Sequence, residues 1–501
     1  MAEPIRFPEI SLFQGFNEPV RAESDIHDLE VIQGAVPEAL NGTLYRCGPE
    51  TQYPPRLGVE KADFDMLVAY EEYFNGEGMV HRFRFENGHV DYRSRWVRNE
   101  RFLAQEKARR SLFGRYRNRY TNDELAAELD PTTSNTHVVW HSGRLLALKE
   151  DGLPIELDPV TLETKEKVDF EGQVTAPWLS AHPKIDALTD EMHTFAYQAK
   201  GDGTKDMAYY RIDTSGKVVK EVWFEAPYAA TVHDYALAGD YVVFGFFPLI
   251  TDMDVVRAGG PYYQWHRDEK AYFAVLPVDG TAEDIRWFNG PAFFGSHIMN
   301  GHVDGSRIVL DVDYSDTGFI AFPNHDGAPY PPPASMDDIF RLCRVTLDLD
   351  GGDEFDLKFE LPPGHNTGAM SRCDDRFVGQ PYRHGYSLVM LPGFKVGIAH
   401  IDHETGEVRA WDPGDGSASM EPVFVPAHRE AAEGEGYLLV HVNREREMVT
   451  DLVILDAQNV DGEPVATIRI PTRIRLTFHG SWVGDEDLAA GTSYHRPGSA
   501  S

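Results

Sequence analysis

Four histidines, each beside an apolar strand-like stretch, are the residues of this sequence best suited by type to build a reactive centre. They lie in the segments SAHPKIDAL, ATVHDYAL, FFGSHIMNGHVDG and IRLTFHGSWV, as His182, His233, His297 and His479. Neutral imidazole is a good ligand for first-row transition metals. The separations of 51, 64 and 182 residues fit no local metal motif, so the four can share an ion only if distant strands meet. Because the chain has 20 histidines, some fall near strands by chance, and a purely structural role stays open.

Short hairpins are the dominant local pattern, and they are the elements that must position these histidines. Alternating apolar and polar residues flank turn signals such as Asn87-Gly88 and Ser142-Gly143. Similar strand–turn–strand stretches recur from about residue 40 to about residue 475. The pattern predicts an all-β fold.

A β-propeller is one all-β architecture that suits the length of 501 residues. Propellers have typically about 4–8 blades, and seven blades of roughly 70 residues fill this chain. The inner strands of all blades face one axis, so histidines from four blades can meet there. The sequence contains no strict repeat that would prove this arrangement.

The segment 98–130 lacks the strand pattern and is rich in helix formers, so it predicts a helical insertion. Between Arg98 and Arg119 it carries eight cationic residues against two acidic ones. The segment is either a solvated helix face or a cap that brings residues to an active site. No linker of Pro, Gly or Ser divides the chain, so we expect one domain over residues 1–501.

Composition excludes several classes of function. The net charge of −34 disfavours binding to nucleic acid and to anionic membranes. Three cysteines without a C-x-x-C pair exclude a disulfide scaffold and a cysteine zinc ribbon. No signal peptide is recognised, and the longest apolar run, at 241–250, is too short to cross a bilayer. We therefore expect a cytoplasmic protein without membrane insertion.

The sequence resembles the carotenoid cleavage oxygenase family along nearly its whole length. Strings that carry the resemblance are NGTLYRCGPE, FNGEGMVHRFRFENGHVDYRSRWV, NTHVVWHSGRLLALKEDGLPIELDPVTLET, AHPKIDALTDEM, VHDYAL, SHIMNGHVDG, EPVFVP and FHGSW. Each string alone is a weak signal, whereas all of them in this order are a strong one. The resemblance implies a seven-bladed β-propeller with a helical cap over the active-site face.

The resemblance also implies a metal centre. In that family the residues at the positions of His182, His233, His297 and His479 bind one non-haem Fe(II). Glutamates accept the other ring N–H of three of these histidines. Glu150 and Glu421 match two of the glutamates. The third position is occupied by Ala369, with Glu360 as a distant substitute, so the acceptor for one histidine, expected to be His297, is in question.

Within the family, the stretches ARRSLFGRYRN and LLALKEDGLP resemble the lignostilbene dioxygenase branch, which also holds isoeugenol oxygenases. In that branch a tyrosine and a lysine matching Tyr116 and Lys149 hold the phenolic oxygen of the substrate. A phenylalanine matching Phe74 packs on the ring. Without the resemblance, Tyr116 would be interpreted as a packing residue and Lys149 as a solvated strand-end lysine.

These expectations combine into one predicted activity. The enzyme would use Fe(II), one per chain, and O2 to cleave the exocyclic C=C bond of a 4-hydroxyphenyl alkene into aldehydes, with no organic cofactor. The alternatives are cleavage of an apocarotenoid, and a propeller that serves as a binding module with structural histidines. We expect a small phenolic alkene as the substrate and a possible homodimer in contact through 98–130.

Overall fold

The computed structural model describes residues 5–57, 71–316, 318, 322–328, 341–359, 361 and 366–493. Strands dominate these ranges, and the predicted all-β class is confirmed. Glu360, the distant candidate for a third carboxylate, lies outside the described residues. Within the described ranges, no helix is long and apolar enough to cross a membrane.

The strands of the described ranges form seven sheets. A five-stranded sheet contains, in spatial order, β1 (Ser24–Ile26), β5 (His89–Trp96), β4 (Glu77–Glu86), β3 (Gly42–Glu50) and β33 (Gly480–Gly484). One four-stranded sheet contains β6 (His137–His141), β7 (Arg144–Leu148), β8 (Ile155–Leu157) and β9 (Thr164–Lys167). A second contains β10 (Lys184–Ile185), β11 (Met192–Tyr197), β12 (Asp206–Ile212) and β13 (Val218–Glu225). A third four-stranded sheet contains β14 (Tyr235–Ala238), β15 (Tyr241–Phe246), β18 (Ala271–Pro277) and β19 (Arg286–Gly290). A fourth contains β20 (Phe294–Asp304), β21 (Arg307–Ser315), β22 (Arg341–Asp348) and β23 (Asp356–Lys358).

The remaining strands form one small and one large sheet. The small sheet pairs β16 (Leu249–Ile250) with β17 (Gln264–Trp265). The ten-stranded sheet runs through β2 (Glu30–Gly34), β32 (Ala466–Ile470), β31 (Val449–Asp456), β30 (Gly436–Arg444), β28 (Ser417–Ser419), β26 (Lys395–Asp402), β25 (His384–Leu391) and β24 (Arg372–Cys373), with β27 (Glu407–Trp411) beside β26 and β29 (Val423–Pro426) beside β30. Strands from the two ends of the described chain therefore pair, β3 with β33 and β2 with β32.

The hairpin that joins β4 and β5 shows how local sequence sets the register. Glu86 faces His89, so Asn87 and Gly88 form a two-residue loop. Both have positive φ, 51° and 82°. A type I′ turn needs positive φ at both central positions, and Asn-Gly meets this need at little cost. The register places alternate residues of both strands, including Phe83 and Phe85, in a buried core.

The predicted helical insertion is less helical than expected. Within 98–130 the structure has helix α1 (Glu100–Ala108) and two short 3-10 helices, Arg119–Thr121 and Glu124–Ala126. Asn99 caps α1 by accepting a hydrogen bond from the Phe102 amide, and Arg109 ends it in a left-handed conformation. Elsewhere in the described residues, helical elements include α2 (Met253–Arg257), α3 (Asp485–Ala490) and the 3-10 helices Ser11–Phe13, Gly15–Asn17, Ala282–Asp284 and Asp375–Phe377.

Some cationic side chains of residues 98–130 form ion pairs with carboxylates instead of facing only solvent. The buried Arg101 guanidinium lies 2.9 Å from a Glu77 carboxylate oxygen, and Arg115 lies 2.8 Å from Glu71. Both carboxylates belong to the chain just before and at the start of β4. The pairs therefore hold residues 98–130 against the sheet that contains β4.

Gly78, in β4, is a position where the backbone leaves no room for a side chain. A Cβ there would lie 2.3 Å from the Ser134 carbonyl oxygen. We expect Gly78→Ala to lower the free energy of unfolding by about 1–3 kcal/mol, because two backbone segments must separate. Denaturant unfolding measures the loss. Gly352→Ala is the matched control, since a Cβ at Gly352 meets no atom within 4 Å; equal stability of both variants would contradict the expectation.

Candidate metal centre and adjoining pocket

The structure brings together all four histidines singled out in the sequence. One ring nitrogen from each of His182, His233, His297 and His479 lies within 4.8 Å of the other three. The Nε2 atoms of His182 and His233 are 3.1 Å apart. The ring centroid of His182 lies 4.4 Å from that of His479 and 5.4 Å from that of His297. Four imidazoles thus surround a point that an ion could occupy.

The strand arrangement explains why such distant residues meet. His182, His233 and His479 immediately precede or lie within two residues of β10, β14 and β33, and His297 lies in β20. Each of these strands is an edge strand of a different sheet. In each of four sheets, the residues at or near the beginning of one edge strand therefore lie beside a common centre.

The environment favours neutral imidazole, which is the form that binds metals. Burial, together with the neighbouring histidines, lowers the pKa of His182 well below its usual range. Burial also lowers the pKa of His479, to about 4, although Glu421 opposes the shift. Both ring nitrogens of His297 are buried and have no hydrogen-bond partner among the described residues. This donor set suits a first-row transition-metal ion, so the residues fit the metal that the resemblance implies.

Two buried glutamates fix the orientation of two of these rings. His233 Nδ1 lies 2.7 Å from Glu150 Oε2, and His479 Nδ1 lies 2.8 Å from Glu421 Oε1. Burial raises the pKa of Glu150, but the combined attraction of His233, Lys149 and Arg117 outweighs burial, and the pKa falls to about 2. For Glu421, the combined effect of Arg372, His479 and Arg46 outweighs burial in the same way and holds the pKa well below its usual range. Both groups are therefore carboxylates able to accept a ring N–H.

The third carboxylate near the histidines is one that the sequence analysis missed. Asp313 Oδ2 lies 3.5 Å from His297 Nδ1. Ala369 offers no side-chain acceptor and packs beside an apolar cluster that includes Leu388. Asp313 could have been found from the sequence as the second aspartate of IVLDVDYS. A carboxylate on the buried face of an apolar strand needs a partner.

The three residues assigned by resemblance to substrate binding lie together beside Glu150. The Lys149 ammonium is 5.7 Å from the ring centroid of Phe74 and 5.1 Å from that of Tyr116. It donates a hydrogen bond to Asn135 Oδ1 at 3.1 Å. Lys149 is 4% exposed, so it is not a solvated strand-end lysine. Burial lowers the pKa of Lys149, against the attraction of Asp151 and Glu150.

One carboxylate connects this pocket with the histidines. The Tyr116 hydroxyl lies 3.5 Å from Glu150 Oε1, and the Tyr197 hydroxyl donates to the same oxygen at 3.2 Å. The other oxygen of Glu150 faces His233. Beside Tyr116, the Arg117 guanidinium lies 5.2 Å from the Tyr197 ring centroid. The 98–130 segment is therefore anchored at the point where it supplies Tyr116.

Aromatic neighbours of the pocket were also missed in the sequence. Phe478 stacks on Phe74 with ring centroids 5.7 Å apart, and Phe322 lies 6.1 Å from Tyr116. Phe478 directly precedes His479, and the FHGSW string already contained it. These rings give the pocket apolar walls that suit a planar aromatic ligand.

A separate cavity of about 130 Å³ reaches the histidines from elsewhere. Its lining includes His182, His297 and His479 together with Lys184 and Arg372. Phe74, Tyr116 and Lys149 are not part of that lining. This cavity therefore does not extend to the residues around Lys149.

Comparison with known proteins agrees with this geometry. The family described as RPE65, retinal pigment epithelial membrane protein, matches residues 17–484. An isoeugenol monooxygenase from Pseudomonas nitroreducens is 40% identical over 93% of this chain and 96% of its own length. A lignostilbene-alpha,beta-dioxygenase isozyme III from Sphingomonas paucimobilis is 37% identical over 96% of this chain and 99% of its own length. The crystal structure of a Pseudomonas brassicacearum lignostilbene dioxygenase, 40% identical, superposes with a TM-score of 0.89 over 96% of this chain and 100% of that one. The chain belongs to the RPE65/carotenoid oxygenase family.

Proposed function

We propose that this protein is a non-haem Fe(II) oxygenase that cleaves the exocyclic C=C bond of a 4-hydroxyphenyl alkene. The observation that carries the proposal is the position of Lys149. A buried ammonium lies beside two aromatic rings and next in sequence to Glu150, which accepts from His233. A phenol held there would have its ring directed toward the histidine centre. The relatives named for isoeugenol and lignostilbene agree with this substrate class.

The metal would be held by His182, His233, His297 and His479. Bound Fe(II) supplies the activation of O2 and the oxidative step. Both oxygen atoms enter the products, so one alkene and one O2 give two aldehydes, one of them aromatic. Glu150 and Glu421 keep two rings in the tautomer whose Nε2 lone pair faces the ion.

The side chains of the pocket prepare the substrate. The Lys149 ammonium stabilises the phenolate form, since an opposite charge in a buried site favours ionisation of the phenol. The phenolate oxygen pushes electron density through the ring to the alkene. Phe74 packs on the ring, and the Tyr116 hydroxyl donates to the phenolic oxygen. The chain's own contribution is thus positioning and electrostatics.

The same proposal includes a single-domain, seven-bladed propeller with residues 98–130 as its cap. The five-stranded sheet and the four four-stranded sheets would be five blades. The ten-stranded sheet would supply two more, because its halves are linked only through β28, which pairs with β26 at a single position. The pairing of β3 with β33 supports closure of the ring into one domain.

An assay of aldehyde products tests the function. The Fe(II)-loaded protein is given air and, in turn, a 4-hydroxystilbene, its 4-methoxy analogue, isoeugenol and an apocarotenal. We expect aromatic aldehyde from the 4-hydroxy compounds and none from the methoxy analogue, which cannot form a phenolate. Cleavage of the apocarotenal alone would contradict the substrate class, and no aldehyde from any compound would contradict the oxygenase.

Tyr116→Phe should have a smaller effect than loss of the Lys149 charge. The variant keeps the ring that packs on Phe74 but loses one hydrogen bond to the phenolate oxygen, and a hydrogen bond to a charged group contributes about 1.5–3 kcal/mol. We expect kcat/KM for the 4-hydroxy substrate to fall about 10- to 150-fold with metal content unchanged. Tyr120→Phe is the control, because Tyr120 lies in the same segment and is 51% exposed. Equal rates for both variants would remove Tyr116 from the set of substrate-binding residues.

Two further expectations stay predictions. The homodimer would use the 98–130 segment, and its test is the mass of the protein in solution. The cytoplasmic location rests on the sequence features given above.

A further inference from the structure

The surroundings of His297 differ from those of His233 and His479. Each of those two rings has a glutamate within 2.8 Å of Nδ1. His297 Nδ1 is buried and lacks a hydrogen-bond partner among the described residues, and Asp313 Oδ2 lies 3.5 Å from it. A buried ring nitrogen without a partner is costly, and ligating histidines normally give their second N–H to an acceptor.

A β-bulge brings Asp313 to this position. Gly295 faces Tyr314 and Ile298 faces Val312, with a register shift between them. Two residues, one of them His297, therefore stand opposite Asp313 alone, and such a bulge re-aims the side chains of the bulged strand. The arrangement is built into the β20–β21 hairpin rather than resulting from a mobile loop.

The segment that follows Ala369 holds Asp313 in place. The Ser371 hydroxyl donates to Asp313 Oδ1, and the Ser371 amide donates to Oδ2 at 3.3 Å. The Asp313 side chain is 1% exposed. The stretch in which relatives are expected to carry a third glutamate thus supplies donors to a carboxylate on the neighbouring strand instead.

We propose that Asp313, oriented by Ser371, is the positioning residue that accepts the Nδ1–H of His297 and so replaces the glutamate absent at position 369. The inference rests on the metal centre of the proposed function. Asp313 acts through His297 and does not touch the substrate. With Glu150 and Glu421, it gives three of the four histidines a carboxylate partner.

Asp313→Asn tests the proposal with Co²⁺ as the probe. Apoprotein is loaded with Co²⁺, and release to a chelator is followed by the visible absorption of the protein-bound ion. Because the amide is a neutral and weaker acceptor, we expect metal affinity to fall by about 10- to 100-fold. Asp311→Asn is the matched control. Asp311 is a buried carboxylate on the same strand, but it pairs with Arg344 and with none of the four clustered histidines, so its variant should hold Co²⁺ as the unaltered protein does.

A proton signal separates positioning from a merely structural role. Histidine N–H protons of the Co²⁺ protein give paramagnetically shifted resonances, and a hydrogen-bonded N–H exchanges slowly. We expect one such signal to exchange faster in Asp313→Asn and none to change in Asp311→Asn. Ser371→Ala, which leaves the carboxylate in place, should speed the exchange of the same signal and serves if Asp313→Asn does not fold.

The outcomes separate the two proposals. If the unaltered protein holds no stoichiometric Co²⁺, the metal centre itself is wrong and the role of Asp313 falls with it. If the unaltered protein and Asp311→Asn hold the ion, and Asp313→Asn retains it equally well with unchanged proton exchange, only the role of Asp313 is overturned.

Discussion

Replacing His182 by alanine should empty the metal centre and abolish turnover. His182 occupies the middle of the cluster, with its Nε2 3.1 Å from that of His233 and its ring 4.4 Å from that of His479. Loss of the His182 imidazole leaves three imidazoles around the metal position and no ligand on the fourth side. We expect bound iron to fall from about one per chain to below about 0.1, and aldehyde formation to fall at least about 1,000-fold, since the oxidative step depends on the metal.

The control for this variant is His193→Ala. His193 is also buried and lies in the same sheet, in β11, but its Nδ1 is 2.7 Å from the Tyr209 hydroxyl and it is not in the cluster. It therefore reports the cost of deleting a buried imidazole without deleting a ligand. Iron is measured colorimetrically after desalting. Stoichiometric iron in His182→Ala would take His182 out of the ligand set.

Lys149→Met should nearly abolish turnover while the metal stays bound. Methionine has a similar length and apolar character but carries no charge, and Lys149 itself is buried with its ammonium bonded to Asn135. Removing a preorganised charge from a buried site that stabilises an anion costs about 100- to 1,000-fold in rate. We expect a loss of that size in kcat/KM for the 4-hydroxy substrate, and iron content equal to that of the unaltered protein.

Lys149→Arg is the companion variant, because it keeps the positive charge in a different shape. Its rate should lie between that of the unaltered protein and that of Lys149→Met. Full activity of Lys149→Met with intact iron would exclude stabilisation of a phenolate by this lysine and leave the oxygenase assignment standing. Loss of iron in Lys149→Met would instead indicate that Lys149 supports the histidine centre through Glu150.

Local patterns in the sequence were sufficient for the strands, whereas the choice of the histidines also needed the resemblance to a family. Asn87-Gly88 sets the β4–β5 hairpin because a two-residue turn depends on only a few neighbouring residues. Each of the four histidines adjoins a strand, but the chain has 20 histidines, and the resemblance marked these four as ligands together with Glu150 and Glu421 as their partners. The structure places Glu150 2.7 Å from His233 and Glu421 2.8 Å from His479, a pairing that the sequence did not assign.

Tertiary structure alone decided the remaining contacts. Asp313 reaches His297 because a bulge shifts the register of β20 against β21, and a register shift leaves no mark in a single sequence. Arg101 is buried and Arg115 is partly buried because Glu77 and Glu71 lie across from them. The sequence thus determined which residue types were available and which strands would carry them. Pairing between segments far apart in the chain decided which side chains meet, because that pairing depends on how the sheets pack against one another rather than on neighbouring residues.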